Sequence, residues 1–342
     1  MYRHGEDEMN TRRTETEIWI AGKNVTADIK KYLKSVTYTD VMEGESDTAQ
    51  INLHDSDRLF IGDWFPQRGD SCNLVIIKSD GDKRETMNLN DFEIDEITNT
   101  ANNSGNTASI KLNSIANKSE LRSIDKSRSW ENVKLSKIAS DIAADAGLTL
   151  FYDTNIDPEI KRAEQKEKSN LSFLYGLCKK SYLALKVTSD NKLVIFDAEK
   201  YEQQEPVTTL SYGDGKVLSF SGSATISKIY KSCHVKYQHG KDAVKYDYTY
   251  TDETKESGIT MEVNERVSSQ AEAERLARCT LKSKNREEIK VNINAMGDFI
   301  YNAGSVIEIK NFGFYDGKYM LKKVVHAVDN GGYTSKLECY KC

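Results

Sequence analysis

Proline is scarce in this sequence, with three among 342 residues, and no long apolar run exists. So little proline argues against extended, proline-stiffened linkers. A membrane-spanning helix needs roughly 18–20 apolar residues in a row. The longest apolar patches here are short, such as Leu74–Ile77. The first ten residues, MYRHGEDEMN, carry no apolar signal core, so no cleaved secretory leader is expected. There is no basic excess either. Forty-eight Lys+Arg face 53 Asp+Glu, mixed along the chain, for a net charge of −5. That excludes a polyelectrolyte tail and a general nucleic-acid binder. Six cysteines (Cys72, Cys178, Cys233, Cys279, Cys339, Cys342) are scattered, which does not suggest a disulfide framework.

What remains is a chain with 18 tyrosines and 38% hydrophobic residues, long enough for two or three domains. The first part reads as strands. Ile18 and Ile20 mark one, Leu33 to Val41 a second, Ile51 and Leu53 a third, and Leu74–Ile77 a buried fourth. Met87 to Ile97 and Ser109 to Ile115 read as a hairpin around a polar loop, Asn102 to Asn106. After residue 125 the pattern becomes helical. Leu135, Ile138, Ala139, Ile142 and Ala146 share a face, with Ser129 as the expected N-cap and Gly147 as the stop. A strand at Leu148–Tyr152, a charged loop at Asp157–Lys168, a helix from Ser169 and a hairpin at 184–196 complete a small α/β module. Strands then return, interrupted by one helix whose capping box is Ser269 with Glu272. The expected units are an arm (1–14), a first β-barrel (15–124), an α/β insertion (125–202) and a second β-barrel with one helix (203–342). The fold class is mainly β with α+β insertions.

Chemistry-bearing signatures are few. Gly-x-Ser-x-Gly and His-Glu-x-x-His are both missing. The histidines His4, His54, His234, His239 and His326 are dispersed, and a strand would put His234 and His239 on opposite faces. Gly213-Asp214-Gly215-Lys216 lacks the rest of a phosphate loop and reads as a turn. Asp153, Asn155, Asp157 and Glu164 have calcium-loop spacing, but Pro158 stands where the loop requires glycine, so a polar connection is expected. Cys339 and Cys342 form a C-x-x-C with no second pair and no helix start to activate it. Lys310, Phe312, Phe314, Tyr315, Lys318 and Tyr319 interleave basic and aromatic residues, which reads as an aromatic turn packed on a barrel. Asp91, Glu93 and Asp95 alternate with Phe92 and Ile94, placing three carboxylates on one strand face. That face is either merely solvated, a cation site, or the wall of a channel.

The last third carries the most specific pattern. A helix with Ala273 and Ala277 leads to Gly297, then Asn302-Ala303-Gly304 before Val306, Ile307 and Ile309. Asn311-Phe312-Gly313, Asp316-Gly317-Lys318-Tyr319, Val324-Val325-His326 and Gly332-Tyr333-Thr334 follow. With Gln165, Asn170-Leu171, Phe173-Leu174 and Lys192–Ile195 in the middle module, this order resembles the late-control D, or baseplate hub, family of contractile phage tails and related injection systems. The resemblance spans about residues 15–340.

Such a resemblance implies two barrels similar to the tail-tube protein with an α/β insertion between them. It implies a homotrimer, a pseudo-sixfold ring joining the hexameric tube to a threefold spike and initiating tube assembly. The implied partners are the tail tube protein, a separate central spike protein, other baseplate proteins and the tape-measure protein. No cofactor, catalytic residue, membrane insertion or specific nucleic-acid binding is implied. Asp91, Glu93 and Asp95 would face the lumen. The implied location is the virion baseplate or a headless bacteriocin particle, assembled in the host cytoplasm. No needle and no lytic domain is expected in this chain. Two other readings compete. One is a carbohydrate- or receptor-binding β-protein of the same particle, which predicts exposed aromatic clusters. The other is a cell-wall hydrolase, for which the sequence offers no dyad.

Overall fold

A computed structural model describes residues 12–44, 46–103, 105–114, 121, 124–188, 191–227, 229–238, 245–267 and 269–342, without the side chains of Asn90 and Asp91. The chain begins with β1 (Arg13–Ile20), β2 (Lys23–Asn24), α1 (Thr26–Ile29), β3 (Leu33–Val41), β4 (Thr48–His54), β5 (Ser71–Asp80), β6 (Lys83–Asn102) and β7 (Gly105–Ser114). The middle holds β8 (Asp125–Lys134), α2 (Leu135–Asp145), β9 (Thr149–Asp153), β10 (Glu159–Ser169), α3 (Asn170–Lys180), β11 (Ala184–Val187), β12 (Lys192–Phe196) and α4 (Ala198–Glu202). Next come β13 (Thr209–Ser211), β14 (Val217–Ala224), β15 (Tyr230–Gln238), β16 (Lys245–Thr251), β17 (Ile259–Val263) and α5 (Gln270–Asn285). The chain ends with β18 (Ile289–Met296), β19 (Val306–Lys310), β20 (Gly317–Asp329) and β21 (Gly332–Lys341).

One motif occurs twice. The first copy orders its strands β3-β4-β7-β6-β5-β1, and the second orders them β14-β18-β21-β20-β19-β13. Chain order and spatial order match, with one difference in direction: β1 pairs β5 antiparallel, whereas β13 pairs β19 in parallel. The irregularities match too. Lys34 is the extra residue where β3 meets β4, and Leu218 is the extra residue where β14 meets β18. Asp95 interrupts the β6–β7 ladder, and Lys322 interrupts the β20–β21 ladder. Both stand at the same distance from a two-residue hairpin loop, closed by Asn102↔Gly105 and Asp329↔Gly332. Bulges bend a strand and raise its twist, so matched bulges mean matched curvature. The inward residues correspond as well: Phe92 and Ile94 with Tyr319 and Leu321, Ile110 and Leu112 with Leu337 and Cys339. The Asn99 amide donates to the Phe60 carbonyl at 2.9 Å, and His326 bonds the Tyr301 carbonyl at 3.1 Å.

Mainly antiparallel β architecture is thus what the chain adopts. Neither motif closes on itself through a hydrogen-bonded ladder among the described residues. They join instead, because β3 pairs with the second half of β20, from Lys323↔Val41 to Asp329↔Ser35. The first half of β20 pairs with β19. The middle module packs α2 and α3 beside the β11-β12-β9 sheet over its own core of Leu135, Ile138, Ile142, Leu174 and Leu193. Two expectations fail there. Ser129 lies in β8, and α2 starts after Lys134, its second amide bonded by Asp157 at 2.9 Å. The charged segment expected as a loop is mostly β10, paired with β8. Both strands are largely exposed and rich in charge, so neither reads as a hydrophobic run.

The three parts meet at a buried polar node. Lys186 on β11 reaches the carboxylate of Asp40 on β3 and lies 3.8 Å from Asp47. Asp40 also accepts the Ala303 amide at 2.7 Å, and Asp47 accepts from the Tyr38 hydroxyl at 3.0 Å and the Val41 amide at 3.3 Å. Burial pushes the Asp47 carboxyl up to about 7, against the pull of Lys186, which lies nearer Asp40. A raised carboxyl pKa means that protonation favours the fold, and that contribution fades as pH rises through about 7.

Replacing Lys186 with Met strands two buried carboxylates, and breaking such a set costs about 3–5 kcal/mol. Denaturation of Lys186→Met should show that loss at pH 8 and a smaller one at pH 5, where the Asp47 carboxyl is protonated. An equal loss at both would remove the electrostatic account. Tyr319 gives a second expectation. Its hydroxyl is buried without a hydrogen-bond partner among the described residues, and its counterpart Phe92 has none to bury. Tyr319→Phe should therefore raise the melting midpoint, corresponding to about 1 kcal/mol.

Candidate interaction surfaces

The acidic strand is less regular than its alternation suggests. Asp91 lies where the β5–β6 register slips between Cys72↔Phe92 and Leu74↔Leu89, and its side chain falls outside the described residues. Glu93 is half-buried and pairs across the sheet with Ser71 and Asn113. Asp95 is exposed at the bulge, and beyond it the inward phase changes from Phe92 and Ile94 to Ile97 and Asn99. Glu96 then turns outward, 3.8 Å from Lys111. The three positions therefore share a strand, but two of them sit at bends.

Other candidates disperse. Asp153 bonds Lys200 at 2.6 Å and Tyr201 at 2.7 Å, while Asp157 holds the start of α2 and Glu164 pairs with Arg162 and Lys166. These carboxylates serve separate partners. Asp214 accepts from the amides of Ser211 and Lys216 between two glycines at φ +83° and +75°, which is a turn. Cys339 is buried in the second core and burial raises its thiol pKa, while Cys342 is exposed at the end. His239 falls outside the described residues. Gln165 and Asn170 prove structural: with Asp145 they receive the guanidinium of Arg128, which lies over the Trp130 ring.

Strands β15, β16 and β17 with helix α5 form a separate layer. β15 lies between β16 and β17, and Tyr246, Tyr248 and Tyr250 pack toward α5 with Cys233, Val235 and Leu276. On the opposite face His234 sits 2.8 Å from both Asp247 and Glu262, one on each flanking strand. Their negative charge raises its pKa above 6.5, with Asp247 contributing most.

Two further surfaces stand out, of which the sequence signalled only the second, as an aromatic turn. The first is the free edge of β14, which carries no charged residue from Val217 to Ala224. Sheet edges are normally guarded by charge, proline or cover. The second is an aromatic cluster beside it. Phe220 stacks on Phe312 at 4.3 Å, Tyr315 covers Gly222, and Tyr212 and Phe314 project into solvent. The adjacent lysines are paired, Lys310 with Glu308 and Lys318 with Glu205. No helix among the described residues is long and apolar enough to cross a membrane.

The His234 clamp has a defined pH signature. A histidine pKa raised by folding stabilises fully below about 6.5 and loses that contribution as pH rises through the folded value. The pair is exposed, so the change should stay below about 1 kcal/mol. An NMR titration should find His234 above 6.5 and returned toward it in Asp247→Asn. An unshifted midpoint would discard the clamp.

Comparison with known proteins places this geometry. The YQBQ-like family profile matches residues 121–340. No curated protein sequence matches. Among solved structures, the 43 kDa tail protein of prophage MuSo2 from Shewanella oneidensis superposes with a TM-score of 0.75 at 14% identity, covering 96% of this chain and 98% of that one. A tail protein from Neisseria meningitidis MC58 gives 0.71 at 14% identity, covering 96% of each. A type VI secretion system component of E. coli gives 0.58 at 8% identity, covering 97% of this chain and 77% of its own. At these identities the likeness is one of fold.

Proposed function

From this chain's membership of the YQBQ-like family and its tail-protein fold, we propose that it is a structural, non-enzymatic component of a phage-type tail. More specifically, we read it as a baseplate hub: a homotrimeric adaptor between a sixfold tail tube and a threefold spike, and a starting surface for tube assembly. The observation that carries this reading is the doubled motif, with the same strand order and the same two bulges in one chain. Three such chains present six nearly equivalent units, while anything present once per chain repeats three times. The middle module and the β15–β17 layer occur once per chain and supply the threefold features. Asp91, Glu93 and Asp95 belong to the same reading as part of a lumen wall that does not retain what passes.

A carbohydrate- or receptor-binding role on the same particle is favoured by one feature, the exposure of Tyr212 and Phe314. The two readings separate by experiment. Native mass measurement and electron microscopy of the chain with tube and spike subunits should find three copies in a ring. A chain that stays monomeric with both partners would reject the hub. Binding to cell envelopes that Tyr212→Ala with Phe314→Ala abolishes, without loss of any ring, would establish the receptor role instead.

A further inference from the structure

Within one chain the two motifs join where β3 meets residues 323–329 of β20. Each participating edge has a counterpart in the other motif, and both counterparts are open. The counterpart of β3 is β14, the last strand of the sheet. The counterpart of residues 323–329 is 96–102 on β6. There β6 pairs only with β7, because its ladder with β5 ends at Glu93. In the two-residue hairpin Asn102 faces Gly105 as a hydrogen-bonded pair, so Ile97, Asn99 and Ala101 turn their backbone groups to the free side. None of those groups has a backbone partner among the described residues.

Side chains at the two edges agree with an unfilled junction. Met42 follows β3, donates its amide to the Lys322 carbonyl at 3.0 Å and is 1% exposed. Its counterpart after β14 is Ile226, which is 94% exposed. The counterpart of Lys322 is Asp95, the other bulge residue.

We infer that β14 of one copy adds to β6 of a second copy of this chain in the β3–β20 register. Ser219 then opposes the partner's Asn102, Ser221 the partner's Thr100 and Thr225 the partner's Glu96, and the Ile226 amide donates to the carbonyl of the partner's Asp95. The contact is head-to-tail, so each copy uses one β14 edge and one β6 edge, and repetition closes a ring. The occupant is a second copy because the junction inside the chain already shows how this pair of edges fits. The inference rests on the ring-forming reading and adds its register.

Directly opposed residues in an antiparallel pair lie about 4.5–5.5 Å apart at Cα, within the span of a disulfide. In a Cys342→Ser background, Ser221→Cys with Thr100→Cys should, on oxidation of the assembled particle, give covalent dimers and trimers on non-reducing gels. Neither single variant should do so, and Ser221→Cys with Thr98→Cys should link far less. A second variant reads the same edge without cysteines. Ala101→Pro removes an outward amide on β6 but none that bonds β7, so the melting curve should hold while the ring is lost. Three-copy rings that link through no Ser221–Thr100 pair, or that survive Ala101→Pro, would overturn the register and leave the hub standing. A chain that remains monomeric with tube and spike would overturn both.

Discussion

Strand β20 serves both motifs of one continuous sheet, and the rest of the molecule depends on it. Its first residues pair with β19 in the second motif and its last seven pair with β3 in the first, while β21 follows nearly its whole length. β19 and β3 follow one another along the same edge of β20, opposite β21, and a flat strand could not let them diverge. The extra residue Lys322 falls where the partner changes, and its carbonyl receives the Met42 amide, so the bend is also the first bond of the junction. The bulge sets both the turn of the sheet and the place where the motifs meet.

The polar node guards that junction against slippage. A one-residue shift in an antiparallel pair exchanges buried and exposed faces, yet β3 carries threonines whose exchange with apolar neighbours would be tolerated locally. Asp40 removes that tolerance. Only in this register does it meet both Lys186 and the Ala303 amide, which come from the middle module and the second motif. Tyr38 adds a second lock, stacked on His326 across the junction at 6.0 Å and 11° while its hydroxyl holds Asp47. Buried charges of this kind contribute little net stability but penalise alternatives. Around them Met42, Ala184, Phe196, Val306, Met320 and Tyr340 form an apolar core drawn from all three parts.

The sequence disclosed elements whose periodicity is undiluted. The α2 stripe, the helix start at Ser169, the Ser269 cap and Leu74–Ile77 all follow local rules that tertiary contacts do not override. β8 and β10 escaped because both are rich in charge, and they form a two-stranded sheet with each other. Asp40, Asp47 and Lys186 escaped because a charged residue reads as solvated until its partners, more than a hundred positions away for Lys186, are known. Among the residues behind the family resemblance, Gly297 now has a cause, since a Cβ there would lie 2.2 Å from the Tyr333 ring. The bulges at Lys34, Asp95, Leu218 and Lys322 left no compositional trace. They govern the candidate surfaces, which is why the acidic strand was legible as a pattern and its bends were not.

On the hub reading proposed above, duplication would let one chain satisfy two symmetries. A motif that pairs edge to edge with its own kind needs six identical copies to make a sixfold ring, and identical copies cannot also present a threefold face. Linking two motifs in one chain makes alternate junctions covalently distinct. The internal junction then gains elements the other lacks: the module between the motifs places Lys186 on it, and α4 adds Glu202, which bonds Arg286 and Tyr340. The proposed external junction would use the bare edges, uncharged on β14 and, among the described residues, open on β6. The internal one is permanent and tolerates buried charge, because its partners are always present. The external one must survive exposure before assembly, and a short, twisted, serine-rich edge does so better than a long apolar one.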